Sequence, residues 1–306
     1  MHKFVGLNRV CVPLSLDCDL SCRYCYRNGG RIARVPDFTD LMRKFLGQID
    51  PEKTQAVVAS GGEPLLHWDK VQELFSYVSP RQHVKVMTNG LSLTPEIVKY
   101  LNDRKVEVWV SHDGDWTEYL RGVDVFKDAE LLKLIRSIDH LTISCCCTAK
   151  NPDPYKNYLQ IKKVLQRPFW FHPNAVFASD FCRYLIDGFD YNAYRDGYLH
   201  CVLENLDWEN PIPLFYKGVG CNVLPNGDVV GMVEIHHKYG TVLDDADTLI
   251  RARVAFGDKK RCENHNCPIS GFCGVWHHEI NPHACQIMIK QAEVTEAINA
   301  SRKLDF

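Results

Sequence analysis

Between Arg9 and Val176, six apolar, β-rich runs alternate with amphipathic stretches, a pattern that restricts the chain to a parallel sheet with crossover helices. The expected strands are Arg9 to Leu16, Gln55 to Ser60, His83 to Thr88, Val106 to Ser111, His140 to Thr148 and Pro168 to Val176. Helices fall between them, among them Trp68 to Val78 and Pro95 to Asp103. The second is entered by Thr94 as an N-cap, with proline at the first helical position. A longer helical stretch, Tyr191 to Asn205, leads into a segment rich in Gly, Asn, Cys and His that runs from about Gly218 to a last helix, Gln286 to Lys303. The expected division is residues 1–180, 181–217 and 218–306.

Composition narrows the class. A formal net charge of -2 gives no global positive field for a polyanion, and the basic run Lys259, Lys260, Arg261 is too short for a docking patch, so nucleic-acid binding is disfavoured. No apolar stretch approaches the roughly 20 residues that span a bilayer, and Met1 to Val10 lacks the apolar segment of a secretion signal. The expectation is a cytosolic protein with no membrane partner. Fourteen cysteines in a reducing compartment then point to metal or cluster ligation rather than disulfides.

Immediately after the first strand stands Asp17-Cys18-Asp19-Leu20-Ser21-Cys22-Arg23-Tyr24-Cys25-Tyr26, a C-x3-C-x2-C spacing. Thiolate sulfur is a soft ligand suited to iron-sulfur clusters, and three ligands on a cubane leave one iron open for another molecule. A structural zinc site needs four protein ligands, and no fourth lies nearby.

This loop resembles the signature of the radical S-adenosylmethionine (SAM) superfamily, with Tyr24 in the aromatic position before the third cysteine. Three more segments match in order: Ser60-Gly61-Gly62-Glu63-Pro64-Leu65 after the second strand, Thr88-Asn89-Gly90 after the third, and Ser111-His112-Asp113-Gly114 followed by Arg121-Gly122 after the fourth. The resemblance covers about Val10 to Ala175 and implies an α/β fold, a partial (β/α)6 barrel with a small C-terminal iron-sulfur extension. It implies that Cys18, Cys22 and Cys25 hold a 4Fe-4S cluster and that the Gly61-Gly62-Glu63 turn holds the amino group of SAM. Asn89 belongs to the same cofactor-binding set, Ser111 or Asp113 would contact the ribose, and Arg121 the carboxylate. In such enzymes an electron from the cluster cleaves SAM to a 5′-deoxyadenosyl radical, which abstracts a substrate hydrogen.

A second group reads Cys262-x4-Cys267-x5-Cys273-x11-Cys285, preceded by Cys221 between Gly220 and Asn222. It looks like the auxiliary-cluster extension called SPASM or twitch, although a four-cysteine zinc site has compatible spacing. Met232 and His277 stand where the full seven-cysteine pattern has cysteines, so one auxiliary 4Fe-4S cluster on Cys262, Cys267, Cys273 and Cys285 is expected rather than two. Cys221 is then either a substitute ligand or a thiol that hands a hydrogen atom to a substrate radical. Cys145, Cys146 and Cys147 occupy one strand, where successive side chains face opposite sides, so they cannot share a metal.

By analogy with enzymes carrying this extension, the expected reaction is cross-linking, epimerisation or oxidation of a ribosomally made peptide. A radical dehydrogenase or epimerase of a small molecule such as an amino-sugar alcohol is the alternative. Only 17 residues precede Cys18, which leaves no space before it for a leader-peptide recognition domain. Direct docking of the peptide or a separate leader-recognition protein is expected instead, together with an external electron donor.

Overall fold

The computed structural model describes residues 7–25, 40, 56–78, 83–175, 184–204, 219–224, 226–231, 238–245, 248–249, 251–252 and 282–302. Six parallel strands form its centre: β1 (Leu7–Pro13), β2 (Ala56–Ser60), β3 (His83–Thr88), β4 (Glu107–Ser111), β5 (Leu141–Cys147) and β6 (Trp170–Ala175), paired in sequence order. Parallel neighbours need crossovers. These carry α1 (Trp68–Ser76), α2 (Pro95–Asp103), α3 (Thr117–Arg121), α4 (Ala129–Arg136) and α5 (Pro154–Leu165). This is the α/β partial barrel the sequence implied.

Local chemistry starts these helices where it should. The Thr94 hydroxyl accepts from the Ile97 amide at 3.3 Å with Pro95 in the first turn, and Asp128 and Asp153 each accept from two backbone amides at the heads of α4 and α5. The strands alternate. Val10, Val12, Val86, Val108 and Ile143 pack in one cluster with Phe75, Leu101 and Ile161 from the helices, whereas Cys11, Val58 and Met87 form a separate cluster on the other face. That second face lines the barrel interior.

β3 keeps its expected ends, whereas β4 and β5 are shorter than the sequence runs that specify them. β1 ends at Pro13; the Leu14 amide still donates to the Ser60 carbonyl at 3.0 Å, and the Ser15 carbonyl then accepts from the Gly62 amide at 2.9 Å. β6 starts at Trp170 and stops at Ala175.

Beyond the barrel, α6 (Tyr191–Leu203) is capped by Asp190 and packs on α7 (Pro282–Arg302), Tyr194, Tyr198 and Val202 meeting Ile287, Val294 and Ile298. α7 begins four residues before the expected Gln286, with Pro282 at its first position. Between these helices, β7 (Val219–Val223) pairs in parallel with β1, and β8 (Asp228–Gly231) and β9 (Lys238–Thr241) continue antiparallel. β7, β8 and β9 thereby extend the barrel sheet along its β1 edge.

Candidate active site

The C-terminal ends of β1 to β4 bring the four sequence segments to one edge, the edge at which open parallel sheets bind ligands. The cysteine loop is fastened there from two sides.

On the first side lies the two-glycine turn. Its amides at Gly62 and Glu63 donate to the carbonyls of Ser15 and Asp17 at 2.9 and 2.7 Å. The approach is so close that a Cβ on Gly61 would stand 2.2 Å from the Ser15 carbonyl oxygen, and one on Gly62 2.0 Å from that of Asp17. Gly61 also has φ of +139°, a backbone conformation that L side chains rarely adopt. Any side chain here would push the loop away. Glu63 is 1% exposed, and its carboxylate accepts from the Thr88 hydroxyl at 2.7 Å, the Asn89 amide at 2.7 Å and the Leu65 amide at 3.0 Å. Burial pushes its carboxyl up to about 7 even though those three donors pull the other way. The Asn89 side chain then donates to Asp19 at 2.6 Å, joining the third strand to the loop.

On the second side, the Tyr24 phenol donates to Asp113 at 2.7 Å, and the Arg23 amide donates to the Leu120 carbonyl at 2.8 Å. Asp113 is completely buried and also accepts from the Arg121 guanidinium, at 2.8 and 3.3 Å, and from the Cys146 amide at 2.8 Å. Burial opposes the charge on Arg121, but the Asp113 carboxylate outweighs it and holds the guanidinium fully charged. Ser111, at the end of β4, keeps partial exposure, which Asp113 does not.

Cys18, Cys22 and Cys25 are half-buried on this loop, Cys22 and Cys25 being joined by a 3.0 Å backbone hydrogen bond. Burial pushes the Cys18 thiol up to about 11 and raises that of Cys22. Among the described residues, no three His, Cys, Asp or Glu side chains stand in a ready metal-holding group. The donor set nevertheless fits an iron-sulfur cluster: three soft thiols share one short loop at the ligand-binding edge, and convergence on binding is the ordinary case for metal sites.

The second cysteine group is less visible. Cys262, Cys267 and Cys273 lie outside the described residues, while Cys285 is buried in the first turn of α7. The β7 register sets Cys221 opposite Val10 of β1. In the fifth strand Cys145 and Cys147 are fully buried, and Cys146 between them is half-buried beside Tyr24, Trp116 and Leu120.

Two features escaped the sequence reading. One is Asp19, inside the cysteine motif but not part of its pattern. The other is a polar cluster within the barrel, where buried Lys85 and Glu107 pair at 3.0 Å and Glu107 also accepts from the Trp109 indole at 2.5 Å and the Thr142 hydroxyl at 2.8 Å. Burial opposes the charge on Glu107, yet the Lys85 ammonium wins and holds its carboxyl below the usual range. Charged residues at inward positions of the apolar runs His83–Thr88 and Glu107–Ser111 were the available signal.

Residues 12–121 match the family model of the radical SAM superfamily. The chain is 20% identical over 304 residues to the radical SAM cyclopropyl synthase TigE of Paramaledivibacter caminithermalis, covering 83% of this chain and 63% of that protein. The chain thus spans less than two thirds of the length of this curated relative. Among solved structures, native anSMEcpe with bound AdoMet and Kp18Cys peptide superposes with a TM-score of 0.68 at 17% identity, covering 96% of this chain and 99% of that one. Streptococcus suis SuiB bound to the precursor peptide SuiA gives 0.66 at 15%, over 86% and 69%. These two likenesses are likenesses of fold.

Proposed function

We propose that this chain, whose residues 12–121 match the radical SAM superfamily model, modifies a ribosomally made peptide by abstracting a hydrogen atom from it. The observation that carries this reading is the double fastening of the cysteine loop, by Asn89 and the two-glycine turn on one side and by Asp113 on the other. Such a frame sets both the cluster ligands and the cofactor turn relative to the barrel interior.

Cys18, Cys22 and Cys25 would hold the 4Fe-4S cluster. When bound, the cluster and SAM supply one-electron reductive chemistry and, from it, hydrogen-atom abstraction. Gly61 and Gly62 let the backbone come close to the amino group, and Glu63 fixes the turn that presents it. Ser111, partly exposed, is better suited to the ribose than Asp113, whose oxygens are taken by Tyr24, Arg121 and Cys146. Asp113 instead orients Arg121 toward the cofactor carboxylate. Cys262, Cys267, Cys273 and Cys285 would hold one auxiliary 4Fe-4S cluster in a unit spanning 218–306, and Cys221 would either replace one of those ligands or return a hydrogen atom to the substrate.

A peptide substrate is supported by the peptide-bound state of two proteins of this fold, whose structures hold the Kp18Cys peptide and SuiA. Electrons would come from an external donor in a reducing cytosol, and the peptide would dock directly on the barrel or through a separate leader-recognition protein. Anaerobic reconstitution is expected to yield about eight irons per chain, falling to about half in a Cys18, Cys22, Cys25 to alanine variant that also stops forming 5′-deoxyadenosine under dithionite. A native protein that leaves SAM intact under those conditions overturns the proposal.

A further inference from the structure

Asp19 is exposed, so by itself its carboxylate would turn freely in water. It is instead gripped by Asn89, whose side-chain amide donates to Asp19 Oδ1 at 2.6 Å. Asn89 is 8% exposed and is itself fixed at both ends, its backbone amide on Glu63 at 2.7 Å and its side-chain oxygen accepting from the Leu91 amide at 2.9 Å. The same Asp19 oxygen lies 3.9 Å from Cys18 Sγ, to which the Leu20 amide also donates at 3.5 Å. A buried, rigid side chain just after the third strand therefore fixes where a carboxylate sits relative to the first cysteine of the motif.

We propose that Asp19, held by Asn89, is a positioning residue that keeps a negative charge beside the Cys18 sulfur and so makes the cluster harder to reduce. This rests on the reading that Cys18, Cys22 and Cys25 hold the cluster. The physical reason is direct: the cluster gains negative charge on reduction, and a neighbouring carboxylate opposes that gain, whereas an N–H donor such as that of Leu20 favours it. An electron held at lower potential is a stronger reductant for whatever the open iron binds. Glu63 then has a second consequence, because the hydrogen bond that orders the cofactor turn also orders Asn89 and, through it, Asp19.

The test is a redox titration of the reconstituted protein followed by electron paramagnetic resonance, without SAM, so that cofactor affinity does not enter. The relevant signal is the one that disappears in Cys18→Ala. If the native protein has no such signal, the proposed function fails, independently of Asp19. Asp19→Asn keeps a side chain that Asn89 can hold but removes the charge; it is expected to retain native iron content and to shift the midpoint to more positive potential. Asn89→Ala leaves the charge but releases it into water, and is expected to shift the midpoint in the same direction by less. An unchanged midpoint in Asp19→Asn overturns the proposal. Should Asp19→Asn fail to load iron, Asn89→Ala decides: a native midpoint in that variant is equally fatal.

Discussion

The Tyr24 phenol donates to a fully buried Asp113 carboxylate at 2.7 Å, so one residue of the cysteine motif closes a network rooted in β4, α3 and β5. Tyr24→Phe removes one of the donors on that carboxylate and is expected to cost about 1–3 kcal/mol. Arg121→Met strands the buried charge and is expected to cost more, about 3–5 kcal/mol. Anaerobic chemical denaturation of the two variants checks the order; an Arg121→Met protein no less stable than Tyr24→Phe would refute the network.

Glu63 makes stability depend on pH in a defined direction. Burial raises its carboxyl from 4.5 to about 7, so between those values the native state binds more protons than the unfolded chain. Stability contributed by this group is therefore present below about 4.5 and declines as pH rises to about 7, by about 3 kcal/mol in all. Glu63→Gln, which cannot ionise, is expected to flatten that part of the stability profile. The same variant should form 5′-deoxyadenosine more slowly, since it loses a charge-assisted contact worth about 1.5–3 kcal/mol. A native slope between pH 4.5 and 7 in the variant contradicts the assignment.

The Lys85–Glu107 pair inside the barrel behaves as a unit. Lys85→Met leaves a buried carboxylate without its counter-ion and is expected to cost about 3–5 kcal/mol. Replacing both, as Lys85→Met with Glu107→Gln, is expected to recover part of that loss, because no desolvated charge remains while the amide oxygen still accepts from Trp109 and Thr142. Urea denaturation of the single and double variants measures the coupling, and simple additivity of the two costs would disprove it.

Cys221→Ala distinguishes a hydrogen donor from a cluster ligand. As donor, the variant is expected to keep native iron content and 5′-deoxyadenosine formation while its product loses the deuterium that the native enzyme takes up from heavy water. Loss of iron would instead make Cys221 a ligand of the auxiliary cluster.

The sequence by itself determined the six-strand alternation, the helix starts at Thr94 and Pro95, and the order of cysteine loop, glycine turn and Asn-Gly turn, because each is written within a few consecutive residues and rests on local chemistry. His83–Thr88 and Pro95–Asp103 are found with the expected ends for that reason. What only the tertiary structure decided are the pairings between segments remote in the chain. Tyr24 with Asp113 spans 89 positions, Asn89 with Asp19 spans 70, and the parallel pairing of β7 with β1 sets Cys221 beside Val10, farther apart in the chain than either. Asp19 carries no signature in sequence and Lys85 only that of an ammonium inside an apolar run, since a carboxylate or an ammonium reads as solvated until folding supplies its partner. The sheet register supplies it, by setting β3 beside β4 and the loop after β1 within reach of Asn89.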